Sequence, residues 1–145
     1  APSAFGLARI RLGRGDVDGA VAALDLVPST SRAFVEARRQ RAGLLAGSGR
    51  GLPGLAEALD SVASVTIEPL DRARLEVNVL GAALDEVLKH GPQEAISVGG
   101  HPAREASLRD AVEGAYRRLA TMETDGEERV RLVDAANGVR RWTLR

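Results

Sequence analysis

Residues 4–28 read AFGLARIRLGRGDVDGAVAALDLVP, which is the pattern of a helix, a glycine-broken turn and a second helix. Gly13 and Gly15 interrupt the first helical run, and Asp16 stands where its carboxylate can cap the next helix. The Ala-Phe pair at positions 4 and 5 returns at positions 33 and 34, which gives a repeat offset of 29 residues. A repeated helical hairpin predicts a stack of helix pairs, an architecture that generally binds other molecules and does not transform them.

The rest of the chain continues the helical pattern, and no alternation is long enough to predict a sheet. We therefore predict an all-α fold of antiparallel helix pairs with seven or eight helices. The predicted helices cover about 3–12, 16–28, 31–46, 53–65, 69–89, 104–122 and 125–139. Between 93 and 102 the pattern is weak, and we expect one short helical turn at 94–98 before Gly99 and Gly100.

The chain is expected to form a single domain over residues 1–145. Its predicted parts are a first helix pair (1–28), a second pair with a Gly-rich loop (29–66), a long helix with a weakly ordered connector (67–102), a C-terminal helix pair (103–140) and a tail (141–145). Before the last helix, Thr124 and Glu127 match a capping box. The residues predicted to face inward from that helix are Val130, Val133, Ala136 and Val139.

Composition excludes several classes of function. Twenty basic residues balance twenty acidic ones, so net charge argues against a nucleic-acid or anionic-membrane partner. The chain has no cysteine, and therefore no thiolate nucleophile and no cysteine-based metal site. No apolar run approaches the length of a membrane span. Because the chain begins without Met and almost at once in a helix, we expect it to be a piece of a longer protein.

The first 34 residues resemble a tetratricopeptide repeat, a helical hairpin with large and small residues at fixed positions. The matching residues are Phe5, Leu7, Ala8, Gly15, Ala20, Leu24 and an early Pro28. The small residues let the two helices of a pair touch, and the large ones fill the space between successive pairs. This resemblance implies a right-handed superhelix whose concave groove is lined by the first helix of each pair.

A more specific resemblance covers nearly the whole chain. It is carried by Phe5-Gly-Leu-Ala-Arg, Gly15-Asp16, Gly19-Ala-Val-Ala-Ala-Leu-Asp, Tyr116-Arg-Arg-Leu-Ala and Leu132-Val-Asp-Ala-Ala-Asn. These blocks resemble the C-terminal tetratricopeptide-like domain of actinobacterial protein kinase G, a eukaryotic-type serine/threonine kinase. The resemblance implies a cytoplasmic, non-catalytic regulatory and scaffolding domain that contacts protein partners and its own kinase domain, and that forms a homodimer.

In that kinase family the upstream regions use ATP, Mg²⁺ and iron in a rubredoxin-like segment. No His-Arg-Asp, Asp-Phe-Gly or glycine-rich kinase loop stands in this chain, so the resemblance transfers no catalytic, cofactor or metal residue onto it. The alternative is a stand-alone tetratricopeptide adaptor that binds a partner peptide in its concave groove. A small enzyme built into a helical bundle is a third class, which requires convergent acid, base or metal groups in a pocket.

The candidate binding residues are aromatic and basic side chains on the two first helices. Arg9 and Arg38 are equivalent under the 29-residue offset, and we expect them to face one groove, where they could hold a carboxylate or phosphate. The proposed groove residues are Phe5, Arg9, Phe34, Arg38 and Arg41. The alternative interpretation is a solvated basic face without a ligand.

Four further features have simpler structural interpretations. Residues 47–54 resemble a phosphate-binding loop, but no strand precedes them and Pro53 removes a donor, so we interpret them as an inter-helix loop. Residues 14–16 form the tripeptide Arg-Gly-Asp, which a turn and a cap explain. His90 and His101 lack a clear third metal ligand. Trp142 could anchor the tail, form a dimer contact or stay exposed.

Overall fold

A computed structural model describes residues 3–140, which form seven helices and one two-stranded hairpin. The elements are α1 (Ala4–Gly13), α2 (Val17–Leu24), α3 (Phe34–Ala46), α4 (Gly51–Ala63), α5 (Pro69–His90), β1 (Gln93–Val98), β2 (His101–Ala103), α6 (Glu105–Met122) and α7 (Gly126–Val139). Helices that follow one another pack together, α1 on α2, α3 on α4, α5 on α6 and α6 on α7. The predicted all-α class built from helix pairs is confirmed.

The first hairpin forms as its sequence predicts. The Asp16 carboxylate accepts a hydrogen bond from the Gly19 amide at 2.8 Å, which caps α2. Gly15 adopts a φ of +76°, a conformation that glycine reaches without steric cost. The second helix is shorter than predicted, because the amides of Leu26 and Val27 bond to carbonyls three residues back and so tighten its last turn.

The two largest of the four clusters of buried side chains in residues 3–140 join most of the helices. The larger joins α4, α5 and α6 to the hairpin and contains the fully buried Leu80 and Leu108. The smaller joins α1, α2 and α3, and alanines such as Ala8 and Ala37 occupy its contacts, which lets the helices approach closely. The apolar face of α4 is buried throughout, with Leu52, Leu55, Leu59 and Val62.

The helical turn predicted at 94–98 is wrong, because these residues belong to strand β1. The strand pairs antiparallel with β2, and Val98 lies opposite His101 across a two-residue turn. Gly99 and Gly100 form that turn with φ values of +58° and +83°, the left-handed conformations that a tight hairpin of this kind requires. Val98 and Ala103 are fully buried, so the hairpin completes the larger core.

Two predictions for α7 also need correction. The helix is capped by Asp125, whose carboxylate accepts from the Glu127 amide at 3.2 Å, and not by a Thr124 capping box. Val130 is 59% exposed, whereas Leu132 and Ala136 are the buried residues of this helix. The tail with Trp142 lies outside the described residues, and a single domain over 1–145 stays a prediction.

Candidate partner-binding groove

A groove of about 590 Å³ runs between the first helices of the two N-terminal pairs, α1 and α3. Its lining is mainly apolar, with a few polar side chains at the rim. The lining residues are Phe5, Ala8, Arg9 and Leu12 from α1, and Glu36, Gln40, Gly43 and Leu44 from α3. The volume falls within the range of about 300–1,000 Å³ that is common for ligand sites. Of the five predicted site residues, Phe5 and Arg9 therefore line this groove.

Gly43 is an exposed residue of the α3 wall, and the space beside its Cα atom is open. A Cβ atom built at this position would meet no heavy atom within 4 Å beyond its own helix turn and chain neighbours. Glycine in a helix interior costs about 1 kcal/mol relative to alanine, so this residue weakens α3. The side chain that is missing here leaves a gap next to Leu44 into which a guest side chain can reach.

The two charged side chains that line the groove differ in whether they have partners within the domain. Glu36 accepts two hydrogen bonds from Arg39, at 2.9 and 2.7 Å, and one from Gln40 at 3.0 Å. The bonds from Arg39 outweigh partial burial and lower the pKa of Glu36 below its ordinary value. The Arg9 side chain, in contrast, makes no hydrogen bond or ion pair with any other residue in 3–140. Within the described part of the chain, the groove therefore presents one uncompensated positive charge.

Arg38 and Arg41 do not line this groove. They are the counterparts of Arg9 and Leu12 under the 29-residue offset, but they turn toward the next helix, α4. Arg38 Nε donates to the Ser61 carbonyl at 2.7 Å, and Arg41 donates to the Ser61 hydroxyl at 2.7 Å. Arg41 also pairs with Asp25 Oδ1 at 2.9 Å and so connects α3 to the end of α2.

The carbonyls at the C-terminal end of α4 explain why Arg38 turns toward this helix whereas its counterpart Arg9 lines the groove. The last carbonyls of a helix have no intrahelical partner and carry partial negative charge, so they attract cations. Arg38 occupies the Ser61 carbonyl, and Arg72 from α5 donates to the carbonyls of Val62 and Val65 at 2.8 and 2.9 Å. We call Arg38, Arg41 and Arg72 the α4 arginine cluster.

Phe34 also lies away from the groove. Its ring is partly buried against the smaller core cluster, which joins α1, α2 and α3. The guanidinium of Arg38 lies 5.9 Å from the ring centroid, within the range of a cation–π contact. Phe34 therefore helps to hold Arg38 in the α4 arginine cluster.

The four residues on the α3 side of the groove, Glu36, Gln40, Gly43 and Leu44, were not predicted from the sequence. They lie on the side of α3 away from Arg38, and the repeat offset places the counterparts of Gly43 and Leu44 beyond the end of α1, at positions 14 and 15. A helical projection of α3 shows that positions 36, 40, 43 and 44 share one face. That face could have been identified as the one that looks toward α1.

Other residues that the sequence suggested as candidates make contacts within the domain. Arg50 in the glycine-rich loop pairs with Asp18 of α2. His90 Nε2 lies 3.9 Å from a Glu86 carboxylate oxygen. Within residues 3–140, no group of three or more His, Cys, Asp or Glu side chains could hold a metal ion. None of the described helices combines the length and apolar character needed to cross a bilayer.

A second, more polar cavity of about 430 Å³ lies beside α6 and β2, and the sequence analysis did not predict it. Its lining includes His101, Arg104 and Arg118. Both arginines are engaged by acidic side chains, Arg104 with Glu94 at 3.5 Å and Arg118 with Glu76 at 3.6 Å. Its cations are therefore already compensated within the domain.

A stack of antiparallel helix pairs with an open groove between first helices defines a helical-repeat protein of the tetratricopeptide type. Comparison with known proteins makes this assignment specific. The chain belongs to the protein kinase G tetratricopeptide repeat family, whose model matches residues 1–143.

Two relatives are serine/threonine-protein kinases by name. The chain is 39% identical over 143 residues to the serine/threonine-protein kinase PknG of Mycobacterium leprae (strain TN), which covers 95% of this chain. It is 37% identical over 141 residues to the protein of the same name from Mycolicibacterium smegmatis, which covers 94%. The chain spans 18% of the length of each of these relatives and matches only their non-catalytic tetratricopeptide region.

Proposed function

We propose that this chain is the regulatory and scaffolding domain of a cytoplasmic serine/threonine protein kinase and that it acts by protein–protein contact. Family membership and the kinase relatives support this proposal. ATP, Mg²⁺ and a rubredoxin-like iron site would then belong to other parts of the parent protein. The domain contributes surfaces to which the kinase domain, or a protein that the kinase acts on, can attach.

The observation that carries the proposal is the α1–α3 groove. It is open to solvent and mainly apolar, and Phe5 and Arg9 are among the residues that line it. An apolar groove between helices with a few polar groups is a common binding site for an extended or helical protein segment. Arg38 and Arg41 contribute indirectly in this proposal, because the α4 arginine cluster fixes how α3 lies against α4.

The direct test adds unlabelled kinase domain of the parent protein to the ¹⁵N-labelled chain and follows amide chemical shifts. Amides of α1 and α3 around the groove, including those of Phe5 and Gly43, should shift together and saturably. Shifts confined to α6 and α7 would place the contact elsewhere and contradict the groove assignment. The Gly126–Val139 helix provides an internal reference in the same spectra.

Self-association into a homodimer is the second part of the proposal. Light scattering at concentrations from about 1 to several hundred micromolar should show a concentration-dependent rise toward twice the monomer mass of 15.3 kDa. A constant monomer mass over this range would remove dimerisation by this domain from the proposal. It would leave the groove assignment in place.

The alternative is a stand-alone adaptor that uses the same groove for a partner peptide. The coding sequence upstream of residue 1 separates the two functions. His-Arg-Asp and Asp-Phe-Gly motifs in the preceding reading frame support the kinase domain assignment. A preceding frame that lacks them supports the adaptor.

A further inference from the structure

We propose that the α1–α3 groove recognises a segment that places one large apolar side chain over Gly43 and a carboxylate against Arg9. This inference rests on the proposed function, because it assigns a partner chemistry to the same groove. The occupant is an amphipathic segment of a protein partner in which an apolar anchor and an Asp or Glu share one face.

The large apolar side chain of the partner segment is inferred from the residues that line the groove. Leu12 is 43% exposed and Leu44 is partly buried, and the gap at Gly43 lies on the same side as Leu44. A guest side chain that enters this gap removes its own apolar surface and that of Leu12 from water, which is the dominant favourable term in most associations. The gap needs no rearrangement, since nothing within 4 Å occupies the space in which a Cβ of residue 43 would stand.

The carboxylate of the partner segment is inferred from the pairing of the two charged side chains at the groove. Arg39 and Gln40 occupy both carboxylate oxygens of Glu36, so Glu36 has little capacity to bind a cation from a partner. Arg9 has no ion-pair partner among residues 3–140 and retains all its donors. A basic partner would meet this guanidinium as a repulsion, whereas a carboxylate can pair with it in a bidentate geometry.

The number of unpaired guanidinium groups at the groove favours a carboxylate over a phosphate as the ligand of Arg9. A phosphoserine carries about −1.5 to −2 charges near neutral pH and is usually bound by clusters of arginines. Counting residues 3–140 alone, the groove offers one free guanidinium, because Arg38 and Arg41 are held in the α4 arginine cluster by Ser61 and Asp25. One uncompensated cation matches one carboxylate.

The experiment measures fluorescence anisotropy of labelled dodecapeptides added to the 145-residue chain. The peptides have an Ala/Gln background with one Leu, and they carry Glu, Lys, Gln or phosphoserine three or four residues from it, so that both side chains share a helix face. We expect the best Glu peptide to bind about five- to tenfold more tightly than its Lys counterpart in low salt, since an attraction replaces a repulsion. The difference should shrink as salt rises.

Three substitutions locate the contact. Gly43→Leu fills the gap and should weaken binding of every peptide at least tenfold. Gly43→Ala, which gains the same helix propensity but adds only one methyl group, should retain most binding. Arg9→Gln should abolish the preference for Glu over Lys, and Arg131→Gln on α7 should leave it intact.

Four results would change or overturn the proposed contact. Loss of binding in Gly43→Leu without any Glu preference overturns the acidic partner but leaves the groove as a binding site. Binding of the Glu peptide that Gly43→Leu does not weaken places the contact elsewhere, and it contradicts both the inference and the groove assignment. A phosphoserine peptide that binds more than twofold better than the Glu peptide replaces the carboxylate by a phosphate. Absence of binding up to 1 mM peptide overturns the inference.

Discussion

Replacing Arg41 by Met should destabilise the domain far more than the same change at its neighbour Arg39. The Arg41 side chain is only 16% exposed and donates to the Ser61 hydroxyl at 2.7 Å and to Asp25 at 2.9 Å. Met retains most of the apolar stem and has a helix propensity close to that of Arg. The substitution therefore isolates the hydrogen bonds of the guanidinium.

The magnitude follows from the two main contacts. A hydrogen bond to a charged group that is largely shielded from water is worth about 1.5 kcal/mol, and the pair with the half-exposed Asp25 adds about 0.5 kcal/mol. Ser61 is fully buried, but its hydroxyl still donates to the Glu57 carbonyl at 2.8 Å, so the substitution leaves no orphaned donor. The expected loss is about 2 kcal/mol, or roughly 4–8 °C in the melting temperature of a domain of this size.

The matched control is Arg39→Met on the same helix. Arg39 and its partner Glu36 are each 46% exposed, so this pair contributes at most about 0.5–1 kcal/mol. Urea unfolding followed by circular dichroism at pH 7 gives both free energies, and a cycle with Ser61→Ala should show a coupling of about 1 kcal/mol for Arg41. Equal losses at Arg41 and Arg39, or no coupling to Ser61, would refute the assignment of Arg41 to structure.

Two further predictions concern the hairpin and the groove charge. Gly99→Ala should lower stability more than Gly100→Ala, because both impose a Cβ on a left-handed backbone but only at Gly99 does that Cβ meet Leu59, at 2.7 Å. Thermal unfolding of the two variants measures the difference, and equal melting temperatures would mean that Leu59 moves away without cost. The carboxyl titration of Glu36, followed by NMR, should have a midpoint below 4.5 and should return toward that value in Arg39→Met. Because the folded-state pKa is lowered, this contribution to stability is present at neutral pH and is lost as the pH falls through that midpoint.

The helices were predictable because their signals are local. Asp16 and Gly15 determine the first turn through capping and backbone conformation, and neither depends on distant residues. The hairpin at β1 and β2 was not predicted, since only Val98 in β1 is fully buried and most of that strand is exposed. The available signal was the Gly99-Gly100 pair, which is favoured in two-residue hairpin turns as well as at helix ends.

The groove was predictable only in part, because repeat equivalence specifies a backbone position and not the direction of a long side chain. Arg9 and Arg38 occupy equivalent positions, but Arg38 reaches the carbonyl end of α4, and it is held there at 2.7 Å. The offset of 29 residues contains no information about where the next helix ends. Only the three-dimensional position of the Ser61 carbonyl separates a residue that stabilises the domain from one that stays available to a partner.

The stability of α3 and the shape of the groove depend on different residues of this helix. The residues that hold α3 to α4, such as Arg41, and those that shape the groove, such as Gly43, lie on different sides of the same helix. Substitutions at Gly43 should stabilise α3 by up to about 1 kcal/mol while they reduce the space for a guest. A glycine that weakens its helix and opens an apolar gap is the pattern expected when stability is given up for a binding surface. The free energy lost at Gly43 therefore favours the groove over the α4 arginine cluster as the place of the proposed partner contact.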